Sequence, residues 1–250
     1  MNLNTPINLL SHSGPCFGGL LKRYDPGLAR ARLQLLFKNK FEPFLTKEGY
    51  KVENKQQLYC YFDFSWEAIV FRGGWPDRLS QKPTILDIGA NYGTFGWLCR
   101  KRWPGARIVG FEPIPELANF CEKLGCYDQV FPVALAEKRG TATLFLDRSL
   151  GLTASLGGNP LLDFKSGKLE VAIERLDDFR FKPDFIKMDV DGGELKTVIG
   201  GLDTFGACPL AVVECIGRLR HKTIQDILQK RTKRLYVLSH EYLFYDEGLL

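Results

Sequence analysis

Apolar runs of strand length alternate with helical patterns from Pro83 onward, a rhythm typical of βαβ units and a mostly parallel sheet. Core strands are predicted at residues 84–87, 107–111, 129–133, 184–189 and 210–215. Helices are predicted at residues 93–103, from residue 115 onward, at 193–199 and at 222–229. Pro115 suits the first turn of its helix, because a proline there leaves no N–H unpaired. The pattern therefore predicts an α/β core.

Two further segments, residues 141–146 and 169–173, alternate apolar and polar positions and are predicted to be half-exposed strands. The segment SLGLTASLGGNP, residues 149–160, lies between them and is rich in glycine and serine. We expect residues 150–160 to form a mobile loop that closes over a substrate.

The first 80 residues lack this rhythm and carry amphipathic helix patterns instead. We expect an N-terminal helical cap at residues 1–80, followed by the α/β core at residues 81–250. A chain of 250 residues can bury about 70 to 75% of its unfolded surface, which is enough for one large core.

The composition is that of a soluble globular protein, with 45% hydrophobic and 25% charged residues. No segment approaches the roughly 20 apolar residues of a membrane span, and the N-terminus lacks the charge pattern of a signal peptide. Seven cysteines, without CxxC or metal-ligand spacing, indicate reduced thiols, and Cys208 and Cys215 are predicted to pack in the core. We therefore expect a cytoplasmic protein without a membrane span.

The formal net charge is +5, and basic residues concentrate at 100–107 and again at 218–234. We interpret these clusters as solvated helix ends, with an acidic or phosphorylated substrate as an alternative. A nucleic-acid partner is not favoured, because aromatic residues are not interleaved at regular spacing and acidic residues are scattered between the basic ones.

The stretch ILDIGANYGTFG carries the first candidate site. Asp87, Gly89, Asn91 and Gly93 fall at the carboxyl end of the first strand, where parallel sheets bind ligands. With Gly96 the glycines follow the spacing GxxxGxxG, so the dinucleotide fingerprint GxGxxG and the lysine of a P-loop are both absent. The loop is therefore not the usual one for a pyrophosphate.

Acidic residues at this edge indicate the charge of the ligand. Asp87 would repel a phosphate and favours a cationic or hydroxyl-bearing ligand. Glu112 ends the second strand, where dinucleotide folds place the carboxylate that accepts hydrogen bonds from ribose hydroxyls. S-adenosylmethionine fits both, since it has an ammonium, a sulfonium and a ribose diol but no phosphate. The alternative is a tight turn and an unrelated surface glutamate.

Five segments occur in order between Thr84 and Glu214: ILDIGANYGTF, GFEP, VALA, LDDF and FIKMDVDGGEL. Together they resemble the class I S-adenosylmethionine-dependent methyltransferases, and within them the FkbM type. The chain departs from the family pattern at Asp191, where the family usually has Glu, and at Gly193, where it usually has Ala.

The resemblance implies a Rossmann-like class I methyltransferase fold, with a mostly parallel seven-stranded sheet and helices on both faces. It implies S-adenosyl-L-methionine as cofactor and O-methylation of a hydroxyl on a sugar, glycan precursor or secondary metabolite. The predicted cofactor contacts are Asp87, Gly89, Asn91, Gly93, Glu112, Pro113, Ala134 and Asp189. The oligomeric state stays open.

The segment FIKMDVDGGEL concentrates candidates for catalysis, because methylation of an aliphatic hydroxyl needs a general base as well as alignment. The predicted catalytic residues are Lys187, Asp189, Asp191, Glu194 and Glu214, with Asp191 the first choice for the base. Alternatively, Asp191 or Glu194 caps the following helix. Glu214 alternatively forms a salt bridge to Arg218 or Lys187.

A metal site is not predicted, because Asp189 and Glu214 have no third ligand at diagnostic spacing. Two other functions stay open. The basic clusters would suit an RNA methyltransferase, whose binding would depend steeply on salt. The chain would otherwise be a cofactor-binding domain without catalytic activity.

Overall fold

The computed structural model describes residues 79–147, 153–156, 167–215, 218–231 and 235–239. The predicted N-terminal cap lies outside these residues apart from its last two positions. The cap and its boundary at residue 80 therefore stay predictions.

The described elements alternate between strands and helices. In chain order they are β1 (Thr84–Ile88), α1 (Thr94–Arg102), β2 (Arg107–Phe111), α2 (Pro115–Leu124), β3 (Gln129–Phe131), β4 (Ala134–Leu135), β5 (Gly140–Asp147), β6 (Thr153–Leu156), β7 (Gly167–Glu174), a 3₁₀ turn (Leu176–Phe179), β8 (Phe185–Met188), α3 (Glu194–Gly200), α4 (Leu202–Ala207), β9 (Ala211–Cys215), α5 (Arg218–Leu228) and β10 (Leu235–Ser239).

The main sheet has the strand order β10-β9-β8-β1-β2-β3, and all of its pairs are parallel. The expected α/β class and parallel sheet are confirmed. Within the described residues this sheet has six strands, so the expected count of seven is not confirmed. Strand β10 was not predicted from the sequence, and β3 ends two residues earlier than predicted. Pro132 ends β3 because it has no N–H for the ladder, and the next residues pair elsewhere as β4.

The strand order reverses between β1 and β8. From β1 the chain moves outward through β2 and β3, and it then returns to β8 on the other side of β1. In sheets of this kind the ligand site lies beyond the carboxyl ends of the strands at such a reversal. The register places Asp87 of β1 beside Lys187 of β8 and beside Gly110 of β2.

Helices pack on both faces of the main sheet. Successive side chains of a strand point to opposite faces of the sheet, so Phe185 and Ile186 lie on different faces. On one side a core cluster joins strand residues Leu86, Ile88, Ile186 and Met188 to helical residues Val198, Phe205, Ile224 and Leu228. On the other side the Phe185 ring lies edge-on to Phe95 of α1 and to Trp103, with centroids 5.4 and 6.5 Å apart.

A second, four-stranded sheet has the order β4-β7-β5-β6. It confirms the two predicted half-exposed strands as parts of β5 and β7. The prediction of a loop at 150–160 is wrong for Thr153–Leu156, which pair antiparallel with β5. This segment is ordered by backbone hydrogen bonds to β5 and not by the packing of its small side chains. The content of glycine and serine does not indicate such pairing. The flanking positions 150–152 and 157–160 lie outside the described residues.

Cysteines and basic residues have structural roles where they are described. Cys208 and Cys215 are buried in the core as predicted, and the five cysteines of the described ranges are free thiols. Arg100 donates to the carbonyl oxygens of Pro104 and Ala106 at 3.0 and 2.6 Å and pairs with Asp128 at 2.7 Å. Among the described residues no helix is long and apolar enough to cross a bilayer.

Helix α4 is capped by a residue from another element. Gly201 precedes the helix and has no side chain to cap it. Asp177 of the 3₁₀ turn instead accepts the Asp203 and Thr204 N–H groups at 3.3 and 2.9 Å, and the Thr204 hydroxyl at 2.8 Å. These are amides that a helix leaves unpaired at its start, so Asp177 fastens the turn to the helix.

We predict that Asp177→Ala lowers the free energy of unfolding by about 0.5 to 2 kcal/mol, the usual effect of losing a helix cap. Asp178→Ala is the matched control, because Asp178 pairs with Arg139, whose side chain is 66% exposed. Chemical denaturation of both variants measures the difference. An equal loss in the control would contradict the capping role.

Candidate active site

The loops after β1 and β8 meet backbone to backbone at the reversal point. Gly89 and Ala90 donate their N–H groups to the Phe111 oxygen at 2.9 and 3.0 Å, which ties the first loop to the end of β2. Gly89 has a φ of +78°, and a Cβ placed on it would lie 1.8 Å from the Asp189 carbonyl oxygen. Glycine is therefore required at this position for conformation and for space.

Asn91 holds the middle of the first loop in a left-handed conformation, with a φ of +50°. Its N–H donates to Glu112 Oε2 at 2.8 Å, and its carbonyl oxygen accepts from Cys121 Sγ at 3.1 Å. Gly93, with a φ of +74°, directly precedes α1 as its N-cap. The loop is thus bonded to β2 on one side and to α2 on the other.

Glu112 lies at its predicted place, directly after β2 and beside the loop that follows β1. The residue is 5% exposed, and its carboxyl group also accepts the Ile114 N–H at Oε1, 2.9 Å away. Burial raises the pKa of Glu112 to about 7, and the hydrogen bonds from Ile114 and Asn91 oppose that rise. A carboxylate has about four acceptor positions, so two bonds leave it able to accept more.

Lys187 and Asp87 form an ion pair inside the sheet. The Lys187 Nζ lies 3.1 Å from Asp87 Oδ1 and donates to the Gly89 carbonyl oxygen at 2.6 Å. Burial lowers the pKa of Lys187, but the charges of Asp87, Asp189 and Glu214 and the hydrogen bond to Asp87 together raise it by more, so the net direction is upward. Lys187 therefore carries a positive charge that its neighbours offset.

Tyr127 also belongs to this site, although it is not among the residues predicted from the sequence. Its hydroxyl donates to Asp87 Oδ2. A Cβ on Gly93, Gly96 or Gly110 would lie 3.2, 2.3 or 3.0 Å from the Tyr127 ring. The glycine spacing was the available signal, since Gly93 and Gly96 are neighbours on one side of α1. These glycines make room for a tyrosine as well as shaping a loop.

The loop after β8 carries the predicted catalytic acids. Asp191 has a φ of +44° and is partly exposed, and Gly192 follows with a φ of +105°. Glu194, the first residue of α3, is 1% exposed, and its Oε1 accepts the Gly192 N–H at 2.9 Å. Glu194 thus binds the loop backbone directly before α3, whereas Asp191 lies in the more accessible turn. This difference favours a structural role over a catalytic one for Glu194, which binds the Gly192 N–H of the loop.

The remaining predicted residues are placed as follows. Glu214 of β9 is 6% exposed. Its charge contributes to the raised pKa of Lys187, so the two side chains interact electrostatically. Pro113 follows Glu112 and is partly exposed. Ala134 is buried in a cluster that Ile114 contacts. The Arg218 side chain lies outside the described ones, which leaves its salt bridge to Glu214 a prediction. In the described ranges, no three metal-binding side chains converge.

Comparison with known proteins identifies the class and then the family. The parallel sheet, with a reversal of strand order between β1 and β8, defines an α/β protein of the doubly wound class. The model of the FkbM methyltransferase domain matches residues 87–237, and the chain belongs to this methyltransferase family.

Two curated relatives are methyltransferases by name. The chain is 31% identical over 142 residues to the 2-O-methyltransferase NoeI of Sinorhizobium fredii, which covers 49% of this chain and 58% of the relative. It is 27% identical over 163 residues to the methyltransferase sdnD of Sordaria araneosa, covering 50% and 62%. The matched region thus spans about three fifths of each relative.

Solved structures give only distant likenesses. A quinone oxidoreductase from Coxiella burnetii aligns with a TM-score of 0.39 at 10% identity, covering 74% of this chain and 43% of that one. The structure of AibC aligns with a TM-score of 0.33 at 16% identity, covering 68% and 37%. Neither likeness carries an argument about function.

We predict that Glu112 makes stability depend on pH. Its pKa is about 7 in the folded protein against an ordinary value of 4.5, so the folded state holds the proton more tightly. The stabilisation is therefore complete below pH 4.5 and is lost as the pH rises to about 7, by on the order of 3 kcal/mol in total.

Urea unfolding of the wild type and of Glu112→Gln at several pH values measures this effect. The amide does not titrate, so the difference in free energy of unfolding between the two proteins should fall across that interval. A difference that stays constant with pH would contradict the raised pKa.

Proposed function

We propose that the chain is an S-adenosylmethionine-dependent O-methyltransferase, which methylates a hydroxyl of a sugar, a glycan precursor or a secondary metabolite. One observation carries the proposal. The buried Glu112 carboxylate is bonded to Asn91 in the glycine-rich loop, beside the point where the strand order reverses. A hydrogen-bond acceptor fixed at this edge suits a ribose diol.

The donor and acceptor groups of the site fit this cofactor. Glu112 keeps acceptor capacity for ribose hydroxyls after its two backbone bonds. Six of the twelve predicted site residues are acidic, and the positive charge of Lys187 is offset by Asp87. This balance suits an ammonium and a sulfonium and disfavours a pyrophosphate. The proposed contacts are Gly89, Asn91, Gly93, Glu112, Pro113, Ala134 and Asp189, with Asp87 behind the loop.

When bound, S-adenosylmethionine supplies an electrophilic methyl group on its sulfonium. The chain then has to orient the acceptor and take a proton from its hydroxyl. We assign the general base to Asp191, because it lies in the partly exposed turn after β8. Asp189 and Glu214 would orient the acceptor or the cofactor, and Glu194 would hold the loop through Gly192.

The choice of a hydroxyl acceptor is supported by the name of one relative, a 2-O-methyltransferase. An RNA acceptor has less support from the described residues, because the basic residues around α1 are engaged within the chain. Arg100 donates to three carbonyl oxygens and to Asp128, and Lys101 lies 4.6 Å from the centroid of the Trp97 ring.

The test is a screen with methyl-labelled cofactor against sugars, lipid-linked glycans and RNA, with products identified by mass spectrometry. Label on a sugar or glycan hydroxyl is the expected result. Label on RNA would show that the acceptor is RNA and not a sugar or glycan hydroxyl. Tight cofactor binding without transfer to any acceptor class would favour the non-catalytic alternative.

We predict that Glu112→Ala weakens binding of S-adenosylhomocysteine about ten- to a hundredfold, because a hydrogen bond to a charged acceptor contributes about 1.5 to 3 kcal/mol. Glu116→Ala is the control, since Glu116 is exposed in the first turn of α2. Isothermal titration calorimetry measures both affinities. Unchanged affinity in Glu112→Ala would remove Glu112 from the cofactor site.

We predict that Asp191→Asn lowers turnover by about 10² to 10⁴ while cofactor affinity stays within a factor of about two, as expected for loss of a general base. A helix cap behaves differently, because Asn caps helices about as well as Asp. Asp203→Asn, at an exposed position in the first turn of α4, is the control. Turnover of Asp191→Asn within about threefold of wild type would leave only a capping role.

A further inference from the structure

The Tyr127 side chain connects two parts of the fold that are distant in sequence. It lies in the segment between α2 and β3, 40 positions from Asp87, yet its hydroxyl donates to Asp87 Oδ2. Asp87 is fully buried, and its other oxygen faces Lys187 at 3.1 Å. Both oxygens of this carboxylate are thus directed at groups of the protein itself.

The same network reaches the glycine-rich loop. Lys187 Nζ donates to the Gly89 carbonyl oxygen at 2.6 Å, so a line of polar contacts runs from Tyr127 through Asp87 and Lys187 to the loop. The hydroxyl therefore contributes to the position of a charged group that in turn holds the loop backbone. A phenylalanine would fill the same space without making this connection.

Three glycines create the space for the Tyr127 ring. Gly93 directly precedes α1, Gly96 lies in the first turn of α1, and Gly110 lies in β2. The tightest approach is at Gly96, where a Cβ would lie 2.3 Å from the ring and 2.4 Å from the hydroxyl oxygen. The path of the ring is therefore set by elements that flank the loop on both sides.

We propose that Tyr127 is a positioning residue for the cofactor loop, acting through the Asp87–Lys187 pair and the Gly89 carbonyl oxygen. The inference rests on the proposed function, since it takes the loop at residues 89–93 as the cofactor site. Asp87 belongs to the site as a fixed support behind the loop. In this proposal Asp87, which the sequence predicts as a cofactor contact, acts through the loop, because its side chain is fully buried.

The test compares Tyr127→Phe with Thr204→Val. Both changes remove one hydroxyl that donates to a carboxylate, and Thr204 makes its bond to Asp177, away from the loop. Hydrogen exchange of the Gly89, Ala90 and Asn91 amides, measured against the Ile186 amide as an internal reference, reports on the loop without any ligand. Calorimetry with S-adenosylhomocysteine reports on binding.

For Tyr127→Phe we expect loop exchange to accelerate roughly tenfold over the reference and affinity to fall roughly tenfold, as for loss of a bond to a charged group. Thr204→Val should leave both the relative loop exchange and the affinity at their wild-type values. Unchanged loop exchange in Tyr127→Phe would overturn the inference, as would faster exchange with unchanged affinity. If the wild type does not bind S-adenosylhomocysteine, the proposed function fails, whereas the exchange data still decide whether Tyr127 orders the loop.

A second pair of variants protects the test against misfolding of Tyr127→Phe. Gly96→Ala should displace the ring and give the same acceleration at the loop amides. Gly206→Ala, in α4, has only the Arg231 Cβ near its added methyl, at 3.7 Å, and should leave the loop unchanged. Wild-type loop exchange in Gly96→Ala would also overturn the inference.

Discussion

The ion pair between Asp87 and Lys187 is the contact on which the geometry of the sheet edge depends. The two residues are partners in the register of β1 and β8, so the pair links the strands where their order reverses. Two charges taken out of water cost several kcal/mol each unless further bonds complete them. Tyr127 and the Gly89 carbonyl oxygen supply those bonds. Removing one partner of such a pair typically costs about 3 to 5 kcal/mol, because the other charge is left buried without a partner. The ion pair, the Tyr127 hydroxyl and the Gly89 carbonyl oxygen therefore depend on one another.

The glycines of the first loop follow from this arrangement. Gly89 must be small because the Asp189 carbonyl oxygen of the neighbouring loop occupies the space where a Cβ would be. Gly96 must be small because the Tyr127 ring passes over α1 on its way to Asp87. Each of these two glycines is therefore required by a close contact with another segment of the chain. The loop is held in its conformation before any ligand arrives, which reduces the entropy that binding would otherwise cost.

The sequence predicts what local pattern determines and misses what distant contacts determine. The strand Arg107–Phe111 is predicted at its observed bounds, because an apolar run lies between a Pro-Gly turn and Glu112. Glu112 is predicted beside the first loop for a topological reason, since strand ends share one edge. Tyr127 contacts Asp87 across 40 positions, and Thr153–Leu156 gains its order from pairing with β5. Neither contact leaves a periodic signal in its own segment.

The charges at the carboxyl edge of the sheet favour a ligand that carries positive charge. Lys187 is offset by Asp87, while Glu112, Asp191 and Glu214 lie at the carboxyl ends of three strands, although the whole chain carries a formal charge of +5. Glu112, with a pKa of about 7, is near the point where its two protonation states are equally stable in neutral solution. Hydroxyl donors and a positive charge both favour the ionised form, whereas a phosphate would favour the protonated form. Binding of a cationic ligand with a diol would therefore be coupled to ionisation of Glu112, and a dinucleotide would meet the opposite preference.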